Sequence, residues 1–130
     1  MARRRGELFD KGFPYLVAEQ DGTVVGYAHV GPYRARPAYR YTIENSVYVR
    51  PGYARRGLGR LLMSTLLSEC ATKDFHQIIA VIGDSANIAS IRLHEELGFR
   101  RVGTLLSVGF KFQRWLDTVL MQRELGDRTT

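Results

Sequence analysis

The chain has 130 residues, of which 45% are hydrophobic and 25% are charged, and this composition indicates one globular domain with one core. Its formal net charge of +6 suits an acidic partner, either a nucleic acid or a phosphorylated small molecule. A single cysteine excludes an intrachain disulfide and a cysteine-based metal site.

The predicted elements begin with a hairpin, because Asp21-Gly22 separates two runs rich in β-forming residues. Residues 33–40 form a predicted loop, and apolar residues at helical spacing then predict two helices, the second ending at Gly98. The order β-β-β-α-β-α-β-β indicates an α/β fold with a mixed, mostly antiparallel sheet flanked by helices. The predicted strands are residues 15–19, 23–30, 41–49, 77–82, 101–110 and 116–124, and the helices are about residues 56–73 and 86–97.

The turn between the third strand and the first helix combines glycine with positive charge. Gly57 and Gly59 let a ligand approach the backbone closely, and the N–H groups that open the helix lack helical partners. Arg55, Arg56 and Arg60 add charge around them. This pattern predicts a site for a pyrophosphate; the alternative is a glycine turn with solvated arginines.

The second predicted helix carries a partly polar face. Asn87, Ser90 and His94 fall on one side together with Ile91 and Leu97. One interpretation is that Asn87 and Ser90 hydrogen-bond an elongated polar ligand while His94 acts at its reactive end. The alternative is a capping asparagine with a buried, satisfied histidine.

Two further groups of polar residues lie before the turn. Glu44 stands mid-strand beside Asn45 and Ser46, where it is a candidate base, either directly or through a water; the alternative is an exposed strand glutamate. Arginines and tyrosines cluster in the preceding loop, which suits recognition of a carboxylate or phosphinate; the alternative is an ordinary polar loop. The members of this cluster are Tyr33, Arg34, Arg36, Tyr39, Arg40 and Tyr41.

The remaining reactive residue types predict no further chemistry. Cys70 lies deep in the first predicted helix and is interpreted as a small core residue rather than a nucleophile. His29 and His76 have no partners at ligand spacing, so no metal site is expected. No membrane span and no signal peptide are predicted, which makes the cytoplasm the expected compartment.

Taken together, these motifs resemble the GNAT-fold N-acetyltransferases. Arg55-Arg56-Gly57-Leu58-Gly59-Arg60 is similar to the family's Q/R-x-x-G-x-G/A acetyl-CoA motif, and residues 87–99 resemble the later N-x-x-S-x-x-L-[YH]-x-x-x-G-F segment. His94, where most members have tyrosine, is typical of the phosphinothricin and methionine sulfoximine acetyltransferase branch. Further stretches that resemble this branch are residues 31–34, 44–49 and 109–117.

The resemblance implies that acetyl-CoA is the acetyl donor and that a small amine attacks its thioester directly, with Glu44 and His94 helping to deprotonate the amine. It implies a homodimer, and neither a metal, a nucleic acid nor a membrane is an expected partner. The implied donor-binding residues are Val47, Tyr48, Val49, Arg55, Arg56, Gly57, Leu58, Gly59, Arg60, Asn87 and Ser90. The implied substrate-binding residues are Arg34, Arg36, Tyr41, Glu44, Asn45 and Ser46.

The resemblance begins at about Phe13, whereas family members usually have a strand and one or two helices before that point. Residues 4–9 look like the tail of such a helix, which would leave an exposed edge at the first hairpin. The single predicted domain, residues 1–130, is therefore expected to lack the family's N-terminal segment. This departure leaves the alternative of an acyl-CoA-binding remnant without turnover. The positive net charge leaves a second alternative, with less support, which is a basic nucleic-acid-binding module.

Overall fold

A seven-stranded mixed sheet forms the centre of the computed structural model, which describes residues 2–8, 12–53 and 57–125, the first of these ranges by its backbone alone. The strands are β1 (Ala2–Leu8), β2 (Phe13–Gln20), β3 (Thr23–Pro32), β4 (Thr42–Val49), β5 (Gln77–Ile82), β6 (Arg100–Lys111) and β7 (Arg114–Glu124). The helices are α1 (Leu58–Ala71) and α2 (Ile88–Glu96), and a 3-10 turn (Pro37–Tyr39) interrupts the loop before β4.

The strand order across the sheet is β1-β2-β3-β4-β5-β7-β6. Neighbouring strands pair antiparallel except β4 and β5, which are parallel. The prediction of an α/β fold with a mixed, mostly antiparallel sheet is therefore confirmed. The predicted hairpin turn is also confirmed, because Asp21 and Gly22 have φ values of 52° and 79°, as a two-residue turn with two left-handed residues requires.

Both helices pack on the same face of the sheet. The side chain of Asn45, on β4, contacts Met63 of α1 and His94 of α2. The fully buried leucines of α1 and the buried Ile91 of α2 belong to one hydrophobic cluster. Cys70 is buried in that cluster, and burial raises the pKa of its thiol to about 12, so its interpretation as a core residue is confirmed.

The opposite face of the sheet carries a row of stacked rings that crosses β2, β3 and β4. The ring of His29 stacks on Tyr15 at 4.9 Å between centroids, and Tyr27 stacks on Tyr48 at 5.4 Å. Alternation along each strand sends these rings away from the helices. Side chains on one face of β4 therefore meet the helices, and those on the other face meet the stacked rings.

The N-terminal residues correct one expectation. Ala2–Leu8 forms strand β1, which pairs antiparallel with β2, with a register shift between Arg4 and Gly6. The expected helix tail over residues 4–9 is therefore wrong for residues 4–8, and Phe9 lies outside the described residues. The physical reason is that the edge of β2 offers unpaired backbone groups that a neighbouring segment satisfies by adding a strand. The expected exposed edge at the first hairpin is accordingly covered by β1.

No helix in the ranges that the structure describes is both long and apolar enough to cross a membrane.

Candidate active site

The site begins where two parallel strands separate. Strands β4 and β5 pair only from Thr42 to Asn45 and from Gln77 to Ala80, and within these two described strands residues 47–49 have no pairing to β5. One edge of β4 therefore presents free backbone N–H and C=O groups. An extended ligand with amide groups pairs with such an edge as an added strand does.

A cleft of about 430 Å³ lies along this free edge, between β4, the start of α1 and one side of α2. Eight of the predicted donor-binding residues line it: Val47, Tyr48, Val49, Gly57, Gly59, Arg60, Asn87 and Ser90. Leu58 instead packs against the hydrophobic core. Arg55 and Arg56 lie outside the described residues.

The start of α1 exposes backbone donors to this cleft. Gly57 caps the helix in the left-handed conformation, with φ of 73°, and contributes no side-chain hydrogen bond. The N–H groups of the first helical turn therefore have no partner within the helix, and the helix dipole makes this end attractive to anions. A Cβ on Gly59 would lie 3.3 Å from Leu93 Cδ2, so glycine keeps this part of the cleft open.

A second cavity, of about 240 Å³, occupies the gap between β4 and β5. Because neighbouring side chains of β4 project to opposite faces, Glu44 and Asn45 line the cavity from different sides of the sheet. Ser46, Asn87, Ser90 and His94 also line it, so the structure brings together the predicted residues of β4 and α2. Partial burial raises the pKa of Glu44, which makes its carboxylate a stronger base.

His94 is buried, with 2% of its surface exposed, and both of its ring nitrogens have partners. Nδ1 lies 2.7 Å from the carbonyl oxygen of Ser90, and a carbonyl only accepts, so Nδ1 carries the proton. Nε2 then accepts from Asn45 Nδ2 at 3.1 Å. Burial lowers the pKa of His94, and the hydrogen bond to Ser90 opposes that shift. In this geometry neither nitrogen is available to a ligand.

The partner of His94 is itself incompletely satisfied. Asn45 Oδ1 is buried and has no hydrogen-bond partner among the described residues, although its amide nitrogen contacts both His94 and Met63 Sδ. A buried acceptor without a donor costs stability. Asn45 and His94 thus form a polar contact between β4 and α2 at the wall of the gap.

Asn87 fits both interpretations of the polar helix face, because it caps α2 and can also bind a ligand. Its Oδ1 accepts from the N–H of Ser90 at 3.2 Å and caps α2. The side chain is also exposed and lines both cavities, which leaves its amide N–H groups available for a ligand.

The arginine and tyrosine loop forms a separate cleft of about 450 Å³, lined by Tyr33, Arg34, Arg36 and Tyr39. The guanidinium of Arg34 lies 4.9 Å from the ring centre of Tyr33, and Arg40 covers Tyr41 at 4.6 Å. None of the three predicted substrate-binding residues of this loop, Arg34, Arg36 and Tyr41, lines the cavity that contains Glu44. The described geometry does not join these two halves of the predicted substrate site.

A second stripe of α2 residues contributes to the site and was not predicted from the sequence. Ala89, Arg92, Leu93 and Glu96 line the cleft between β4, α1 and α2, and they recur at the three- and four-residue spacing of one helical face. That spacing in the sequence could have indicated that these residues share one face of α2. Glu96 also pairs with Arg60 of α1, a contact between residues too far apart in the sequence for local patterning to indicate. No cluster of three potential metal ligands occurs in the described part of the chain.

Comparison with known proteins gives a consistent family signal. The family model described as "Acetyltransferase (GNAT) family" matches residues 2–99. The chain is 52% identical over 131 residues to a phosphinothricin N-acetyltransferase of Alcaligenes faecalis, covering 99% of this chain and 66% of that protein. It is 47% identical over 116 residues to an L-methionine sulfoximine/L-methionine sulfone acetyltransferase of Salmonella typhimurium, covering 89% of this chain and 67% of that protein.

Solved structures indicate the same family. The protein yncA of Salmonella typhimurium, solved with its cofactor acetyl-CoA, is 45% identical and superposes with a TM-score of 0.86 over 92% of this chain and 68% of that one. A phosphinothricin acetyltransferase of Sinorhizobium meliloti, also in complex with acetyl-CoA, is 46% identical with a TM-score of 0.84 over 88% of this chain and 62% of that one. The chain thus spans about two thirds of the length of these relatives.

Proposed function

The chain belongs to the GNAT acetyltransferase family, and from that membership we propose that it moves the acetyl group of acetyl-CoA directly to the amine of a small amino acid-like molecule. The observation that carries the proposal is the free edge of β4 beside a cleft that ends at the glycine-capped start of α1. That edge suits the amide groups of a pantetheine arm, and the helix start suits a diphosphate.

The donor half of the site is proposed as follows. The backbone of residues 47–49 pairs with pantetheine, and the N–H groups of Leu58, Gly59 and Arg60 hold the diphosphate, with Arg55 and Arg56 adding charge. Asn87 and Ser90 hydrogen-bond the pantetheine. The fit is supported by Gly59, because a side chain at that position would crowd Leu93 and Val49, which line the cleft.

The proposed chemistry is a direct transfer in which Glu44 acts as the base. Its carboxylate takes a proton from the substrate ammonium, directly or through a water. The free amine nitrogen then bonds to the thioester carbon and the carbon–sulfur bond breaks. The proton that this nitrogen loses on becoming an amide balances the one that the departing sulfur gains, so coenzyme A leaves as the thiol. The raised pKa of Glu44 supports this role. His94 was expected to share it, but its ring nitrogens are both engaged, which favours a positioning role through Asn45.

The proposed acceptor is an amino acid analogue such as phosphinothricin or methionine sulfoximine, because relatives that are 52% and 47% identical carry those names. Asn45 and Ser46 line the cavity beside Glu44 and are proposed to contact the acceptor. Arg34, Arg36 and Tyr41 are proposed to bind its acidic group. That last assignment requires the 33–41 loop to reach toward Glu44 when substrate is present.

We propose a homodimer that associates through the hairpin formed by β6 and β7. Large apolar side chains on this hairpin are exposed to an unusual degree, with Leu106 at 73%, Phe112 at 82% and Trp115 at 64%. Exposed apolar patches of this kind mark interaction surfaces. Since Asp84 on the loop before α2 holds Arg114 of the hairpin at 2.9 Å, association would also stabilise the edge of the active site.

The domain organisation, the compartment and the partners of the chain are proposed as follows. Because one hydrophobic cluster connects both helices to the sheet, we propose that the chain works as one domain. The cytoplasm is the proposed compartment, since the sequence has a single cysteine and so needs no oxidising environment. Neither nucleic acid, a membrane nor a metal is proposed as a partner.

The experiment is a thiol-release assay with acetyl-CoA and either phosphinothricin or methionine sulfoximine, with the N-acetylated amine as control. We expect thiol release that requires the free amine. Acetyl-CoA binding without release for any amine tried would instead support an acyl-CoA-binding remnant. Absence of acetyl-CoA binding together with salt-sensitive DNA or RNA binding would support a nucleic-acid module.

A further inference from the structure

One ion pair crosses the cleft between β4, α1 and α2. The guanidinium of Arg60, in the first turn of α1, donates to the carboxylate of Glu96, at the end of α2. Both residues line the cleft, and their side chains are 54% and 57% exposed. The pair therefore connects the two helices at the solvent side of the proposed donor site.

Glu96 has a charge opposite to that of the other ionised groups of the cleft. Among the described residues that line it, Arg60 and Arg92 are cationic and Glu96 is the one anion. The proposed donor carries a diphosphate and a further phosphate, so its negative charge favours the two arginines and is repelled by Glu96. A carboxylate on the wall of an anion site also occupies a guanidinium that the anion could use.

We propose that Glu96 competes with the phosphates of the donor for Arg60 and thereby weakens and tunes acetyl-CoA binding. This inference rests on the proposed donor site. Binding would exchange a carboxylate partner of Arg60 for a phosphate partner, and Glu96 would turn to solvent.

The exchange is physically accessible because the pair is exposed. Ion pairs between solvent-exposed side chains contribute little stability, whereas guanidinium–phosphate contacts are charge-assisted and frequently bidentate. Removing the charge of Glu96 frees Arg60 before the donor arrives and also removes a repulsion. For charges separated by several ångströms of water, the expected gain in affinity is about threefold.

The test uses Glu96→Gln with Glu95→Gln as the matched control. Glu95 precedes Glu96 on the same helix and is exposed, but it does not line the cleft. Calorimetric titration with acetyl-CoA at low salt is expected to give an affinity about threefold higher for Glu96→Gln and little changed for Glu95→Gln. The gain should disappear at about 1 M salt, where the screening length is roughly 3 Å.

Two further titrations identify the cause. S-acetylpantetheine, which has no phosphates, should bind the wild-type protein and Glu96→Gln equally. In an Arg60→Gln background, the gain from Glu96→Gln should shrink, because the competition acts through Arg60.

The outcomes separate this inference from the proposed function. If the wild-type protein binds acetyl-CoA but Glu96→Gln binds it equally or more weakly, Glu96 does not compete and the inference fails while the donor site stands. An equal gain for Glu95→Gln, or an undiminished gain in the Arg60→Gln background, also overturns it. If the wild-type protein binds no acetyl-CoA, the donor site itself is wrong and the inference falls with it.

Discussion

The two ends of strand β4 lie in different surroundings. Toward its C-terminal end, residues 47–49 adjoin α1 and α2, whose buried residues share one core. Toward its N-terminal end, the strand emerges from the exposed 33–41 loop, whose arginines form a cleft of their own. Packed elements hold a ligand in a preformed geometry, whereas exposed loops are more mobile and vary more readily.

This difference separates the two substrates of the proposed reaction. The donor end is built from helices and strands, so its geometry follows from the fold. The acceptor end depends on side chains of a loop and on Glu44, which lies between the two ends. Variants on each side of Glu44 should therefore affect donor binding and acceptor turnover separately.

The largest effect is expected for Glu44→Gln. Removing a general base typically costs between 10²-fold and 10⁴-fold in rate, so kcat/KM for the amine should fall within that range while the Kd for acetyl-CoA stays unchanged. Because burial raises the pKa of Glu44, the wild-type rate should rise with pH through that pKa, and the variant should lack this limb. Glu124→Gln, at an exposed position at the end of β7, is the control. A variant with normal kcat/KM would remove Glu44 from the mechanism.

The next effect tests the donor end. Gly59→Ala places a Cβ 3.3 Å from Leu93 Cδ2 and 3.7 Å from Val49 Cγ2, which crowds the cleft. Leu93, which lines the cleft, must then shift and narrow the space for the donor, so acetyl-CoA affinity should fall about tenfold, or about 1.4 kcal/mol. Gly103→Ala is the matched control, since its added Cβ meets nothing within 4 Å. Equal affinities for the two variants would mean that the donor does not pass Gly59.

A smaller effect, on folding stability, is expected from His94, which lines the cavity between β4 and β5. His94 is buried and its pKa is lowered in the folded protein, so below about pH 6.5 the unfolded chain binds more protons than the folded one. Stability should be complete above that pH and fall as the pH decreases toward the lowered pKa, by at most about 1.4 kcal/mol per pH unit from this residue.

The matched variant is His94→Gln, compared with the wild-type protein by urea unfolding from pH 5 to pH 7.5. Burial lowers the pKa of His29 as well, so the difference between the two proteins isolates the contribution of His94. The variant should lose stability at every pH, because the edge contact of His94 with Phe99 disappears, but with a shallower dependence on pH. Identical slopes would show that His94 is not held neutral.

The smallest effect on catalysis is expected at the hairpin. Phe112→Ser removes the large apolar side chain that is most exposed among those whose burial the structure describes, and it should shift a dimer toward monomer in sedimentation velocity, with little change in acetyl-CoA affinity. Val24→Ser, an exposed apolar residue on β3, serves as the control. A wild-type protein that sediments as a monomer at every concentration would refute the proposed interface.

Much of the fold was predictable from local patterns. The six strands and two helices follow from periodicity and turn residues, and the Asp21-Gly22 hairpin has the backbone that its residue types predict. Strand β1 was not predictable in this way, because Ala2–Leu8 becomes a strand by pairing with the edge of β2. Pairing between strands of this kind overrides local preference.

In the candidate site, too, arrangements within one element were predictable from the sequence, whereas contacts between elements were not. Residues on one strand or one helical face, such as Glu44 with Asn45 or Asn87 with Ser90, were grouped correctly because spacing within an element determines their relative positions. Contacts between elements could not be predicted from spacing along the chain. The hydrogen bond of Asn45 to His94 and the ion pair of Arg60 with Glu96 depend on how α1 and α2 pack on β4.

The difference between the two ends of β4 is tested most directly by amide hydrogen exchange with and without acetyl-CoA. If the donor end is preformed and separate from the acceptor end, acetyl-CoA should slow exchange at residues 47–49 and 58–60 and leave residues 33–41 unchanged. Unchanged exchange at residues 58–60, or protection concentrated in residues 33–41, would contradict the assignment of the donor to the cleft between β4, α1 and α2.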